Sequence, residues 1–205
     1  MPWRRVLREA KGGDVDGISF AWRTPEREKY LFFAEAILPN EAGLYYSQRN
    51  PNTDVRQAFS YEAMRGRRIG VVRGYVLPEQ FRRSGAEIIE GNNDTNLLKM
   101  LNSLRIDFLY TDKYVGRYVI KSLRLETTRN LNHIKWYQTL EINPNHLAIS
   151  KAIRNADANL IVQQYAQGLE VIRSNGLYDR ILRKHDLFMP CVGCEGEATG
   201  KISTP

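Results

Sequence analysis

The chain has 205 residues, 42% hydrophobic and 26% charged, with a formal net charge of +7, which suits a globular chain of one domain or two small lobes. No apolar run approaches the ~18 residues of a membrane span, and Met1-Pro2-Trp3-Arg4-Arg5 opens an amphipathic pattern with no signal-peptide core in this chain. The basic residues are scattered, without an aromatic-basic cluster, so the positive charge reads as a solvated surface and no nucleic-acid partner is expected.

In chain order, apolar residues at 3, 6, 7 and 10 give a helix that Lys11-Gly12-Gly13 ends. A strand is expected over 15–22. Thr24-Pro25-Glu26 then reads as a helix start, with a hydroxyl N-cap, a proline at the first helical position and an acid in the first turn. An apolar, aromatic run over 30–38 ends at Pro39, and a separate strand is expected over 42–47. The stretch 49–68 is polar, with a short helical patch at 55–64.

Further on, a β-branched strand at 68–75 ends in a glycine turn, a helix starts at 78–83, and a short strand covers 86–90. Asn92-Asn93-Asp94 caps a helix over 95–104, a strand covers 106–112, and a helix covers 113–123. The segment 140–150 reads as a strand broken by Pro144, followed by helices over 157–172 and 177–185. Residues 189–205, dominated by Gly, Glu, Ser, Thr and Pro, are expected to be a disordered tail. The texts LREAKGGDVDGISF and LKMLNSLRIDFLYT echo each other as helix, turn, Asp and apolar strand. Such an echo fits two similar lobes and argues against one continuous large sheet.

Asp16-Gly17, then Thr24-Pro25-Glu26-Arg27, then Phe33-Ala34-Glu35 resembles the signature of the amino-acid-type (family 3) solute-binding proteins of ABC transporters. Tyr165, Leu169, Ile172, Gly176, Tyr178, Ile181 and Leu182 match the closing text of that family. The resemblance implies an α/β, two-lobed type II periplasmic-binding-protein-like fold, with lobe 1 incomplete because the usual N-terminal segment and export signal are lacking. It implies lobe 1 at 1–42 and 142–188 and lobe 2 at 43–141. The implied function is capture of a small carboxylate, an amino acid or related compound, in the cleft between lobes. A membrane ABC permease would be the partner and the periplasm the location. An open edge on lobe 1 is also a surface for a homodimer, which gives a second reading: a truncated domain that self-associates without useful ligand affinity. A third is a fold-related dehydratase working through Asp112.

Several residues are candidates for the ligand. Arg27, fixed at a helix start, presents a planar fork that fits a carboxylate bidentately. Asp112, at the C-terminal end of a strand, can accept from an α-ammonium or cap the following helix. Arg73, Gly74 and Tyr75 fill the family's glycine-threonine turn, where backbone N–H groups form an anion-binding nest; Arg73 is either a second carboxylate partner or solvent-facing. Phe20 and Trp22 share one face of a strand. Phe20 is a core residue or a ligand-stacking ring, and Trp22 stands where the family has a ligand-facing hydroxyl.

No catalytic motif is present: G-x-S-x-G, G-x-x-x-x-G-K-[ST] and H-E-x-x-H are all absent. His133, His146 and His185 pair with no serine or cysteine at a recognisable spacing. Cys191 and Cys194, in a Gly-rich tail with only His185 near, suit a short disulfide or two free thiols better than a metal or redox site. The expectation is a binding protein with no catalytic residues, cofactor or metal.

Overall fold

The computed structural model describes residues 1–56, 58–127 and 130–187. Cys191, Cys194 and the expected tail lie outside the described residues. The chain divides into two compact units, Met1–Ala166 and Gln167 onward. The second contains the end of helix α6 (Ala158–Ser174) and helix α7 (Leu177–Lys184), which starts after Gly176 in the left-handed region. No helix among the described residues is long and apolar enough to cross a membrane.

The first unit is built on a six-stranded sheet of order β1-β6-β2-β5-β3-β4. Its strands are β1 (Gly17–Trp22), β2 (Leu31–Ser47), β3 (Arg68–Val72), β4 (Glu87–Gly91), β5 (Phe108–Asp112) and β6 (Ile134–Ser150). The helices are α1 (Trp3–Gly12), α2 (Pro25–Glu28), α3 (Glu79–Arg83), α4 (Asp94–Asn102) and α5 (Lys113–Thr127). The pairs β3–β4 and β3–β5 are parallel, and the others are antiparallel.

Two lobes share this sheet. In one, α1 packs on β1 and the adjoining ends of β2 and β6, burying Ala10, Ile18, Ala21, Leu31 and Ala148. Its hydrophobic face is the one predicted from spacing, and Gly13 at φ 77° ends the helix. In the other lobe, β3, β4, β5 and the far part of β2 have apolar cores on both faces. Leu97, Leu101 and Ile120 of α4 and α5 cover one face, and Phe81 of α3 packs into the other. Burial on both faces explains why β3 and β5 read as continuous apolar runs.

Several expectations are corrected. The sheet is continuous through both lobes, because β2 and β6 are each 17 residues long and pair along most of their length. The prolines break neither strand: Pro39 lies opposite Pro144 in a pair whose N–H positions face away from the partner strand, so no ladder bond is lost. The 30–38 run is accordingly strand from Leu31 onward, and α2 is a single turn. The helical patch over 55–64 shrinks to a 3₁₀ turn at Glu62–Met64.

The crossing is narrow. On one side β1 ends with Trp22 opposite Asn145, and on the other β5 ends with Asp112 opposite Ala42. Between them only β2 and β6 remain, joined through Pro39–Pro144, Asn40–Asn143 and Glu41–Ile142. The C-terminal ends of β1 and β5 both open onto this waist, the position at which open α/β sheets take ligands.

Candidate functional site

A cavity of about 280 Å³ lies at the waist, lined by Phe20, Trp22, Arg27, Asn40, Tyr75 and Asp112, among others. Each wall follows from local chemistry. Thr24 accepts the Arg27 backbone N–H at 3.2 Å and, with Pro25 behind it, fixes the turn that carries the arginine. The Arg27 side chain is then drawn inward and the residue is only 6% exposed.

The Arg27 guanidinium donates to the Trp22 carbonyl at 2.9 Å and to the Gly74 carbonyl at 3.3 Å. Its carbon stands 5.5 Å from the Trp3 ring centroid, a cation–π distance. Among the described residues no carboxylate lies within salt-bridge distance of it. Burial therefore lowers its pKa from the ordinary arginine value, against weaker upward effects from Tyr30 and Glu26. A buried cation held only by neutral groups lacks charge compensation that an anion could supply.

Asp112 stands on another wall of the same cavity. Its Oδ1 accepts the backbone N–H groups of Tyr114 at 2.6 Å and Val115 at 2.8 Å, which caps α5. Oδ2 makes no hydrogen bond among the described residues. Burial pushes the carboxyl above its usual range; the two N–H groups oppose this, and the charges of Asp94 and Glu41 add to it. A cationic group on a ligand would find a carboxylate short of positive partners.

Tyr75 packs edge-on against Trp3, with centroids 6.1 Å apart, and donates its hydroxyl to Asp94 at 3.0 Å. Its pKa is raised, first by burial and then by Asp94. Gly74 takes φ 90°, a left-handed value that favours glycine. Its carbonyl accepts from Trp3 Nε1 at 3.1 Å as well as from Arg27, so the turn that could hold an anion by its N–H groups also ties the two lobes through its oxygen. Phe20 is 43% exposed with φ 74° at the bulge between Ser19 and Ala21. It lines the cavity in a strained conformation.

The site thus brings together Phe20, Trp22, Arg27, Tyr75 and Asp112, with the Gly74 carbonyl at its rim. Arg73 is not in the lining; its Nε pairs with Glu90 at 3.0 Å on the neighbouring strand. Sequence reasoning missed Trp3, Asn40, Tyr110, Thr111 and Asn145, which also line the cavity. One signal was available for two of them: Pro-Asn occurs in both crossing strands, as Pro39-Asn40 and Pro144-Asn145. No cluster of three or more His, Cys, Asp or Glu that could hold a metal exists among the described residues.

Neither a protein-family model nor a curated protein sequence matches the chain. Solved structures do match by shape. A mutant of ArgBP from T. maritima superposes with TM-score 0.71 at 17% identity, over 91% of this chain and 75% of its own. An amino acid ABC transporter substrate-binding protein from Streptococcus pneumoniae bound to L-arginine gives TM-score 0.71 at 16% identity, over 90% and 73%. A histidine kinase sensor domain with similarity to periplasmic binding proteins gives 0.71 at 20% identity, over 89% and 75%. The chain therefore has the two-lobed periplasmic-binding-protein fold and spans about three-quarters of the length of these neighbours.

Proposed function

We propose that the chain is a solute-binding protein that captures an amino acid or a related small carboxylate at the waist between its lobes. The carrying observation is Arg27, a buried guanidinium in the cavity that donates to carbonyls and, among the described residues, has no carboxylate within salt-bridge distance. A ligand carboxylate would take the place of an absent counter-ion, and an α-ammonium would go to the Oδ2 of Asp112. The two neighbours named as a substrate-binding protein and an arginine-binding-type protein support the ligand class.

The lobes in this reading are residues 1–42 with the return strand from 142, and residues 43–141. A ligand held by Arg27 on one lobe and by Asp112 and the Gly74 turn on the other favours the closed state by the difference of its affinities for closed and open. The partner would be a membrane ABC permease, and the site of action extracytoplasmic.

A thermal-shift screen with amino acids and small carboxylates tests this. At a ligand concentration about 100 times Kd, linkage gives roughly 2.7 kcal/mol of stabilisation. Arg27→Met should abolish the shift while the unliganded melt stays within about 1 kcal/mol of wild type, since the buried charge removed was costly to the fold. A wild-type melt that no such ligand moves would overturn the reading.

One further observation favours self-association as a second reading. Strand β1 is an edge of the sheet and, among the described residues, pairs with β6 alone. Unpaired edges accept strands from other chains, so sedimentation across a concentration series should then show a dimer that ligand does not alter.

A further inference from the structure

Asp94 opens α4 and stands just outside the cavity lining, bonded to two residues that belong to it. Its Oδ2 accepts the Tyr75 hydroxyl at 3.0 Å, and its Oδ1 accepts the Thr111 hydroxyl at 2.5 Å. Tyr75 belongs to the turn after β3, and Thr111 is the residue of β5 next to Asp112. One carboxylate thus joins three segments, over separations of 19 and 17 residues, and the ends of two of them carry Tyr75 and Asp112 into the cavity.

The helix does not need these bonds. An acid in the first turn favours the helix dipole without any side-chain partner, and the Asn93 side chain already caps α4 through the Asn96 N–H at 2.8 Å. Nor does the core need them. Thr111 is 0% exposed and follows Phe108, Leu109 and Tyr110, where a valine would fill the same space with no polar group to satisfy. What the Thr111 bond fixes is the end of β5, one residue before Asp112. Charge adds to geometry. The charged and titratable groups that act on Asp112 are Asp94, Glu41 and the Tyr45, Tyr75 and Tyr114 hydroxyls, with Arg27 in the same cavity. Glu41 is met by Lys113 at 2.8 Å, whereas among the described residues no cation lies within salt-bridge distance of Asp94. Burial is the largest cause of the raised Asp112 pKa, and the Asp94 charge adds to it.

We infer that Asp94 is a positioning residue for amino-acid capture: it ties the turn after β3 to the end of β5 and so holds Asp112 where a ligand's α-ammonium meets it. This rests on the solute-binding reading, in which Arg27 takes the carboxylate and Asp112 the ammonium. Asp94 itself touches no ligand. It acts by geometry through Tyr75 and Thr111, and by its charge, which sets the pH range in which Asp112 is ionised.

Calorimetric titration of the full chain with L-arginine and L-glutamine, each against its des-amino counterpart, separates this role from a structural one. The counterparts lack only the α-ammonium, so the ratio within each pair reads the Asp112 wall alone. In mildly alkaline buffer wild type should prefer each amino acid to its counterpart by at least about tenfold. Asp94→Asn should cut that preference about fivefold by weakening the amino acids alone, since an amide keeps one of the two acceptor oxygens. It should also move the fall of amino-acid affinity to lower pH, because the like charge that helps to raise the Asp112 pKa is gone. Thr111→Val removes one tie and keeps the Asp94 charge; it should cut the preference too, and it carries the test should Asp94→Asn fail to fold. Equal loss for both members of each pair, or a pH profile that Asp94→Asn leaves in place, would make Asp94 structural and leave the solute-binding reading standing. Wild type that binds neither amino acid, together with no shift in the wider screen, would overturn both.

Discussion

Pro39 of β2 lies directly opposite Pro144 of β6, at the waist where the sheet is two strands wide. Neither residue can donate to the ladder, and neither strand has another neighbour at that point. The coupling between lobes is therefore weakest where both strands cross. Hinge motion concentrates where few residues absorb the dihedral change.

Releasing both fixed φ angles should loosen this hinge. Pro39→Ala with Pro144→Ala should lower stability by about 1 kcal/mol, since the unfolded chain gains freedom and the N–H groups at a non-hydrogen-bonded pair face away from the partner strand. The interlobe distance distribution, read by energy transfer between one label on α1 and one on α3, should broaden. An unchanged distribution would place the hinge elsewhere.

The pH dependence of binding should follow Asp112. Its folded-state pKa is raised by burial, so the fold prefers the neutral carboxyl. For the unliganded protein this group is unfavourable above the folded pKa, and that deficit disappears as pH falls through it. A ligand ammonium needs the ionised form, so affinity for an amino acid should fall as pH drops through that same raised value. Glu41 and Asp107 behave oppositely. Their pKa values are lowered by partners despite burial: for Glu41 by Lys113 and Thr139, for Asp107 by Arg68 and Asn50. The stability they add is present above the ordinary carboxylate range and lost as pH falls through their lower folded values. The loss of affinity should thus begin at higher pH than the loss of fold, and Asp112→Asn should bind weakly with a flat profile across the range in which wild-type affinity falls.

The local parts of the site were legible in the sequence. Thr24-Pro25-Glu26 places Arg27 by capping chemistry that acts over three residues, and Asp112 follows from a strand ending where a helix begins. The long-range parts were not. Trp3 reads as the apolar face of α1, and its bond to Gly74 spans 71 positions. Arg73 reads as free for a ligand until β4 places Glu90 beside it in the parallel pair. Pro144 reads as a strand break because proline removes a donor; that its N–H position faces away from the partner strand is visible only once the register is known.

The lobe built on β3, β4 and β5 is pinned by Asp107, 4% exposed, where the turn before β5 meets the start of β3. It accepts the Arg68 backbone N–H at 2.9 Å, the Arg68 guanidinium at 2.8 Å and Asn50 Nδ2 at 2.9 Å. Asp107→Ala should cost about 3 kcal/mol by leaving these donors without an acceptor in a mostly buried place. Denaturant titration should show a lower midpoint with an unchanged slope. A loss below about 1 kcal/mol would mean that solvent replaces the carboxylate at Arg68, whose side chain is 35% exposed.

Trp3 should govern closure. Its indole N–H and the Arg27 guanidinium share the Gly74 carbonyl, and its ring supports both Arg27 and Tyr75. Trp3→Phe keeps a ring and removes the N–H, at a cost of about 1 kcal/mol that falls on the closed state alone. If lobe opening breaks the Trp3–Gly74 bond, ligand affinity should therefore drop about fivefold with little change in the unliganded melt. Trp3→Ala also removes the aromatic face over the guanidinium and should weaken binding further. Intrinsic fluorescence offers a direct readout, since Trp3 and Trp22 line the cavity and Trp136 does not. Ligand should change the wild-type spectrum and change that of Trp3→Phe less, with Trp22 then the remaining reporter. If Trp3→Phe binds as wild type does, the Gly74 carbonyl is held by Arg27 alone and α1 has no part in closing the lobes.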